Sequence, residues 1–114
     1  MFNLFGPKTL PYEVLTPQQV EQRIKESKPL VIDVRESYEY ATGHIKGSKL
    51  IPLRGLASKV NALGSKDREI IVVCQSGGRS SHAAHQLSGL GFTKVSDMRG
   101  GMSGWSRSGL PVER

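Results

Sequence analysis

The run Ile70-Ile71-Val72-Val73-Cys74-Gln75-Ser76-Gly77-Gly78-Arg79-Ser80 decides how the rest of the chain is read. Four successive aliphatic residues without polar alternation describe a strand covered on both faces, the usual state of strands in parallel sheets. Gly77 and Gly78 let the backbone bend so that successive N–H groups point inward. A helix beginning near Arg79 aims its unpaired first-turn amides and its positive dipole at the same spot. The strand therefore delivers the thiol of Cys74 into an anion nest. A lone cysteine on a strand is otherwise read as a small buried hydrophobe; this setting instead predicts an activated thiolate and a nucleophile.

Outward from this run the chain alternates short strands and helices. Thr16-Pro17-Gln18-Gln19 has the form of a helix start, with Thr16 as N-cap, Pro17 at the first helical position and Gln19 completing a capping box; Val20 and Ile24 then face the core. Leu30 to Val34 is a second apolar run and predicts a central strand ending near Asp33. A short helical segment follows over Ser37 to Ala41. Gly43 and Gly47 bracket a turn into a brief strand, Ser48 to Ile51, closed by Pro52. Leu56, Val60 and Leu63 recur at helical intervals before Gly64. Beyond the cysteine loop, Ala83, Ala84, Leu87 and Leu90 form a helical stripe ended by Gly91, and Lys94 to Met98 reads as another strand. Alternation of this kind predicts an α/β fold with a mostly parallel central sheet of about five short strands and helices on both faces. Such sheets bind ligands at the carboxyl ends of their strands, where Cys74 lies.

The bulk properties narrow the function. With 114 residues the chain suits one domain, read as a lead segment over 1–10 and a single domain over 11–114. Its apolar and charged fractions, 37% and 23%, are those of a globular protein, and no apolar run reaches the ~18 residues of a membrane span. No signal-peptide pattern opens the chain, so a reducing cytoplasmic setting is expected, and one cysteine allows no intramolecular disulfide. The net charge of +6 is spread from Lys8 to Arg114 with few aromatics, which argues against nucleic acid and for a mild field attracting small anions.

Around the thiol, Ser76, Ser80 and Ser81 are candidate hydroxyl donors to a thiolate or bound anion. Arg79 is a candidate either to bind that anion or to brace the loop through a carboxylate, with Asp33 the expected partner. Arg35 and Glu36 read as paired with each other or with a neighbouring loop rather than touching substrate. His82 and His85, three apart, lack the further ligands of a metal site and read as exposed; His44 is expected to fix local structure through a ring hydrogen bond. Met102 and Trp105 read as packing residues, with the pocket rim as their other reading. Four residues separate Cys74 from Arg79, one fewer than in the loops of phosphotyrosine phosphatases. The smaller nest suits a single sulfur better than a phosphoryl group, and argues against a phosphatase or arsenate reductase.

These motifs together resemble the single-domain rhodanese-like sulfurtransferases, over nearly the whole chain. Asp33-Val34-Arg35-Glu36 with Tyr38 and Gly43-His44-Ile45-Lys46-Gly47-Ser48, then Ile51-Pro52-Leu53, is similar to that family's first signature, and Cys74 to Ser80 to its active-site loop. Gly91-Phe92, Arg99-Gly100-Gly101-Met102, Trp105, Gly109 and Pro111 resemble its C-terminal signature, with Lys49 and Arg99 standing where other residues are commoner. The resemblance implies a thiosulfate sulfurtransferase in which Cys74 takes sulfur from a small anionic donor such as thiosulfate, holds it as a persulfide, and yields it to cyanide or a thiol. It implies Gln75, Ser76, Gly77, Gly78, Arg79 and Ser80 as substrate-binding residues, Asp33 and Arg35 as support, and no metal or organic cofactor. Thioredoxin-like proteins are among the acceptors it suggests. The other reading is a persulfide carrier or interaction module that passes sulfur between proteins with little small-molecule turnover.

Overall fold

The computed structural model describes residues 10–114, so the lead segment assigned to 1–10 falls, as far as residue 9, outside the described residues. In order along the chain come β1 (Glu13–Leu15), α1 (Pro17–Ser27), β2 (Leu30–Asp33), α2 (Ser37–Tyr40), β3 (Lys49–Leu50), β4 (Ile70–Val73), α3 (Gly78–Gly89), β5 (Val95–Met98) and α4 (Gly101–Arg107). The five strands form one sheet in the order β1-β5-β4-β2-β3, and every pairing within it is parallel. β4, which leads to the cysteine, is central: Ile32 lies opposite Val72 on one side and Asp97 opposite it on the other. All four β4 residues are buried, as an unalternating apolar run requires.

Strand pleating divides these residues between two cores. Ile70, Val72 and Cys74 join Ile32, Val34, Ala83, Ala84, Leu87 and Phe92 beneath α3, whereas Ile71 and Val73 join Val20, Met98, Met102 and Trp105 beneath α1 and α4. Helices thus cover both faces. The start of α1 is the predicted capping box: Gln19 N–H donates to Thr16 Oγ1 at 3.1 Å and Thr16 N–H to Gln19 Oε1 at 2.8 Å.

Three readings change. The edge strand β1 carries no strand pattern in the sequence, yet it pairs with β5 over Glu13–Leu15. Leu56, Val60 and Leu63 do not lie on an α-helix; the segment is two 3₁₀ turns, Leu53–Gly55 and Ala57–Ala62, which still bury Leu56 and Leu63. Three-residue turns place apolar residues on one side nearly as 3.6-residue turns do, so spacing alone does not separate them. Leu90 leaves the α3 stripe as its exposed C-cap. At the other end of the chain, Glu113 pairs with His44 in an isolated antiparallel bridge, and Trp105 Nε1–H donates to the Pro111 carbonyl at 2.8 Å.

Candidate active site

Cys74 follows β4 directly and is 1% exposed, its side chain turned toward α3. The chain then reverses through Gln75, Ser76 and Gly77, and α3 begins at Gly78, one residue earlier than the sequence reading. Gly77 makes this reversal possible: at φ 118° it occupies backbone space that side-chain-bearing residues seldom adopt. Its N–H points back into the turn and donates to Cys74 Sγ at 3.0 Å. Ser81 N–H, bonded to the Gly77 carbonyl at 3.1 Å, is the first of the helical ladder. The amides of Gly78, Arg79 and Ser80 thus form the first turn, which has no intrahelical acceptors. Ser76 and Gly78 are exposed and form the rim over the buried sulfur.

Of the three serines, Ser80 reaches the thiol. It is fully buried, and its hydroxyl lies 3.4 Å from Cys74 Sγ and 2.5 Å from Asp97 Oδ1. Ser81 instead shares a 2.9 Å hydrogen bond with the Tyr12 hydroxyl. Asp97, on β5 and 6% exposed, is a residue that the sequence reading did not single out. Its place in the register opposite Val72 is what carries it alongside the cysteine loop, and no local pattern signals that. Burial pushes its carboxyl above the usual range, with the Ser80 hydrogen bond opposing.

The arginine pairings differ from expectation. Arg79 does not meet Asp33; its two terminal nitrogens donate to the two carboxylate oxygens of Glu39 on α2, at 2.7 and 2.8 Å. This fork-to-fork pair braces the helix end of the loop. It holds Glu39 down at about 2, the Arg79 hydrogen bonds being the first cause, and raises Arg79, to which the nearby Cys74 also contributes. Asp33 is instead the partner of Arg35: both are buried, and Arg35 Nη2 donates to Asp33 Oδ2 at 2.8 Å. Arg35 Nε also donates to Asp33, Nη2 donates as well to the Gly43 carbonyl at 2.8 Å, and Nη1 donates to Gln75 Oε1 at 3.0 Å. Gln75 Nε2–H in turn donates to Ser103 Oγ at 3.0 Å. Glu36 pairs with Arg54 rather than Arg35. Thus Asp33, Arg35 and Gln75 form one polar chain that holds the front of the loop.

The rear of the loop rests on α4. Met102 N–H donates to the Cys74 carbonyl at 2.8 Å and Ser103 N–H to the Gln75 carbonyl at 3.0 Å. This approach needs a glycine at 101: a Cβ there would stand 2.5 Å from the Cys74 carbonyl oxygen and 2.6 Å from Gln75 C and O. Met102 and Trp105 pack beneath, as expected. Beside the loop lies a polar cavity of about 440 Å³, lined by Arg35, Gln75, Ser103, Ser106, Arg107 and Arg114 among others. Its arginines give an approaching anion a positive wall.

His44 lies face to face with Tyr40, ring centroids 3.7 Å apart, and its Nδ1 lies 2.9 Å from the Tyr40 carbonyl; it shapes the turn that presents the Gly43 carbonyl. His82 and His85 are exposed, and no group of metal-ligating side chains occurs among the described residues. No helix described is long and apolar enough to cross a membrane.

Comparison with known proteins agrees with the fold. The family model described as a rhodanese-like domain matches residues 16–108. A sulfurtransferase of Allochromatium vinosum is 31% identical over 96 residues, covering 83% of this chain and 89% of its own. The thiosulfate sulfurtransferase GlpE of Pseudomonas aeruginosa is 33% identical, covering 90% of both. The crystal structure of a rhodanese-related protein from Thermoplasma volcanium superposes with a TM-score of 0.81 at 34% identity, over 90% of this chain and 98% of that one.

Proposed function

The chain belongs to the rhodanese-like domain family, and from that membership we propose that it is a thiosulfate sulfurtransferase with Cys74 as its nucleophile. The observation that carries the reading is the geometry at sulfur: a thiol at the end of a central parallel strand, with the Gly77 N–H 3.0 Å from Sγ and the first turn of α3 closing the loop. A donor such as thiosulfate approaches over the exposed rim of Ser76 and Gly78. The Cys74 thiolate attacks the outer sulfur, the bond to the sulfite sulfur breaks, and sulfite leaves with the electron pair. The new persulfide carries its negative charge on the outer sulfur, where the loop amides stabilise it without reorganising. A nucleophilic acceptor, cyanide or a thiolate, then attacks that sulfur and Cys74 leaves as thiolate.

Residue roles follow from contacts. Gln75, Ser76, Gly77, Gly78 and Ser80 shape and line the nest, Arg79 acts on it through its charge while clamped to Glu39, and Asp33 with Arg35 holds Gln75 in place. These 114 residues contain one cysteine, so no second thiol among them can resolve the persulfide as a disulfide, and an outside acceptor takes that part. A reducing cytoplasmic compartment would keep that single thiol available.

The test is intact-mass measurement after thiosulfate treatment. The wild type is expected to gain the mass of one sulfur atom, removable by cyanide, and a folded Cys74→Ala variant to gain none. An unmodified wild type would sink the reading as a thiosulfate enzyme. Loading from a protein persulfide, with no turnover of small donors, would make the chain a sulfur carrier instead.

A further inference from the structure

We infer that Asp97 takes up the proton of the Cys74 thiol through the Ser80 hydroxyl, which makes it a positioning residue for the nucleophile. The inference rests on the reading of Cys74 given above. Three groups are linked in series: Cys74 Sγ, Ser80 Oγ at 3.4 Å and Asp97 Oδ1 at a further 2.5 Å from Ser80, on residues 1%, 0% and 6% exposed. A carboxyl group so deeply placed is costly as an anion unless a cation or several donors compensate it. Asp97 has no ion pair among the described residues, its strand neighbours in register are Val14 and Val72, and the hydrogen bond to its side chain comes from Ser80. An asparagine would meet the same packing need without the charge, so the carboxyl group itself calls for a purpose.

The hydrogen bonds supply one. With the thiol protonated, S–H donates to Ser80 Oγ, and the Ser80 hydroxyl donates to the Asp97 carboxylate or to the Gly77 carbonyl 3.2 Å away. When the thiol proton moves to Ser80 and the Ser80 proton to Asp97, both bonds reverse: the carboxylic acid donates to Ser80, and Ser80 donates to the thiolate. One S–H bond is broken and one O–H bond formed, with no change in net charge. The buried pair then holds a single negative charge, placed on the sulfur. Burial favours the neutral carboxylic acid, and the Gly77 N–H, 3.0 Å from Sγ, gives the charge on sulfur a donor that Asp97 lacks. Of the other charged groups facing the loop, Arg79 of α3 is paired with Glu39 of α2, near the Tyr38 hydroxyl, and Arg35 with Asp33 beyond β2, while Arg107 and Arg114 line the cavity beside Gln75. At Asp97 itself only burial and Ser80 act.

A coupled pair of this kind loses its two protons in two steps. The rate at which iodoacetamide alkylates Cys74 is therefore expected to rise with pH through two inflections, separated by more than about one pH unit, with the site confirmed by intact mass. In Asp97→Asn the amide donates permanently to Ser80. The upper inflection should vanish, and the rate should reach its plateau about one pH unit earlier or more. A single inflection in the wild type overturns the proposal, as does a folded Asp97→Asn protein that keeps both. Should that variant fail to fold, the protonated-carboxyl infrared absorption of the wild type takes its place: it must fall across the upper inflection, and its constancy there also overturns the proposal. Alkylation needs no sulfur donor, so a failure of persulfide loading is read separately from a failure here.

Discussion

Replacing Gly101 with alanine tests whether α4 holds the cysteine loop. At φ 58°, alanine pays for a left-handed backbone, about 1–2 kcal/mol. The larger part comes from contact: the new Cβ would lie 2.5 Å from the Cys74 carbonyl oxygen and 2.6 Å from Gln75 C and O, all backbone atoms that cannot swing aside. Relief requires α4 to withdraw by about 1 Å, which carries the Met102 and Ser103 N–H bonds, now 2.8 and 3.0 Å, beyond useful length. Two weakened hydrogen bonds add about 1–3 kcal/mol, for a total near 2–5 kcal/mol, a large share of the ~5–15 kcal/mol that holds a domain together. Urea denaturation should show the midpoint falling by about 2 M, at a slope of ~1–3 kcal/mol per M. Gly109→Ala is the control: it shares the left-handed backbone, φ 74°, but its Cβ meets nothing within 4 Å, so only the backbone part should be lost. If the two variants lose equal stability, the reasoning about close approach is wrong.

Two further outcomes follow from the braces. Glu39 is held at about 2 against an ordinary 4.5, so the stability it contributes is complete above pH 4.5 and is lost as pH falls toward 2. With Arg79 partly exposed, that contribution is about 1 kcal/mol, and Glu39→Gln should show the deficit by denaturation at pH 7 but none near pH 2; a deficit independent of pH would refute the pairing. Arg35→Met leaves Asp33 buried without its cation and should cost about 3–5 kcal/mol, or at least ~12 °C in melting temperature. A fall under about 4 °C would mean that Asp33 is not enclosed as described.

What the sequence discloses is local. The apolar runs over β2 and β4, the Thr16 capping box and the glycine reversal after Cys74 are each complete within a few residues, and each is legible. The α/β parallel architecture follows because those runs alternate with helical stripes. What stays hidden depends on partners far along the chain. β1 is a three-residue edge strand, too short for a period, and exists through its pairing with β5. Whether Arg79 meets Asp33 or Glu39 depends on how α2 sits against α3, and Asp33 is already taken by Arg35 two residues on. Asp97 lies in Val95-Ser96-Asp97-Met98, where it reads as an ordinary polar strand position until the register sets it beside Ser80.

The support that α4 gives the loop also orders events in time. Ser103, whose N–H holds the Gln75 carbonyl, follows Cys74 by roughly 30 residues, and β1 near the start of the described chain must wait for β5 before it can pair. On a ribosome adding ~5–20 residues per second, the thiol is made about 1.5–6 s before the residues that brace its loop. Throughout that interval the nascent chain carries the thiol with its loop unbraced and a sheet that lacks its β5 pairing. Pairing of the first described strand with the last makes folding slow by topology, and the bracing of the nucleophile waits until residues 95–103 have been made.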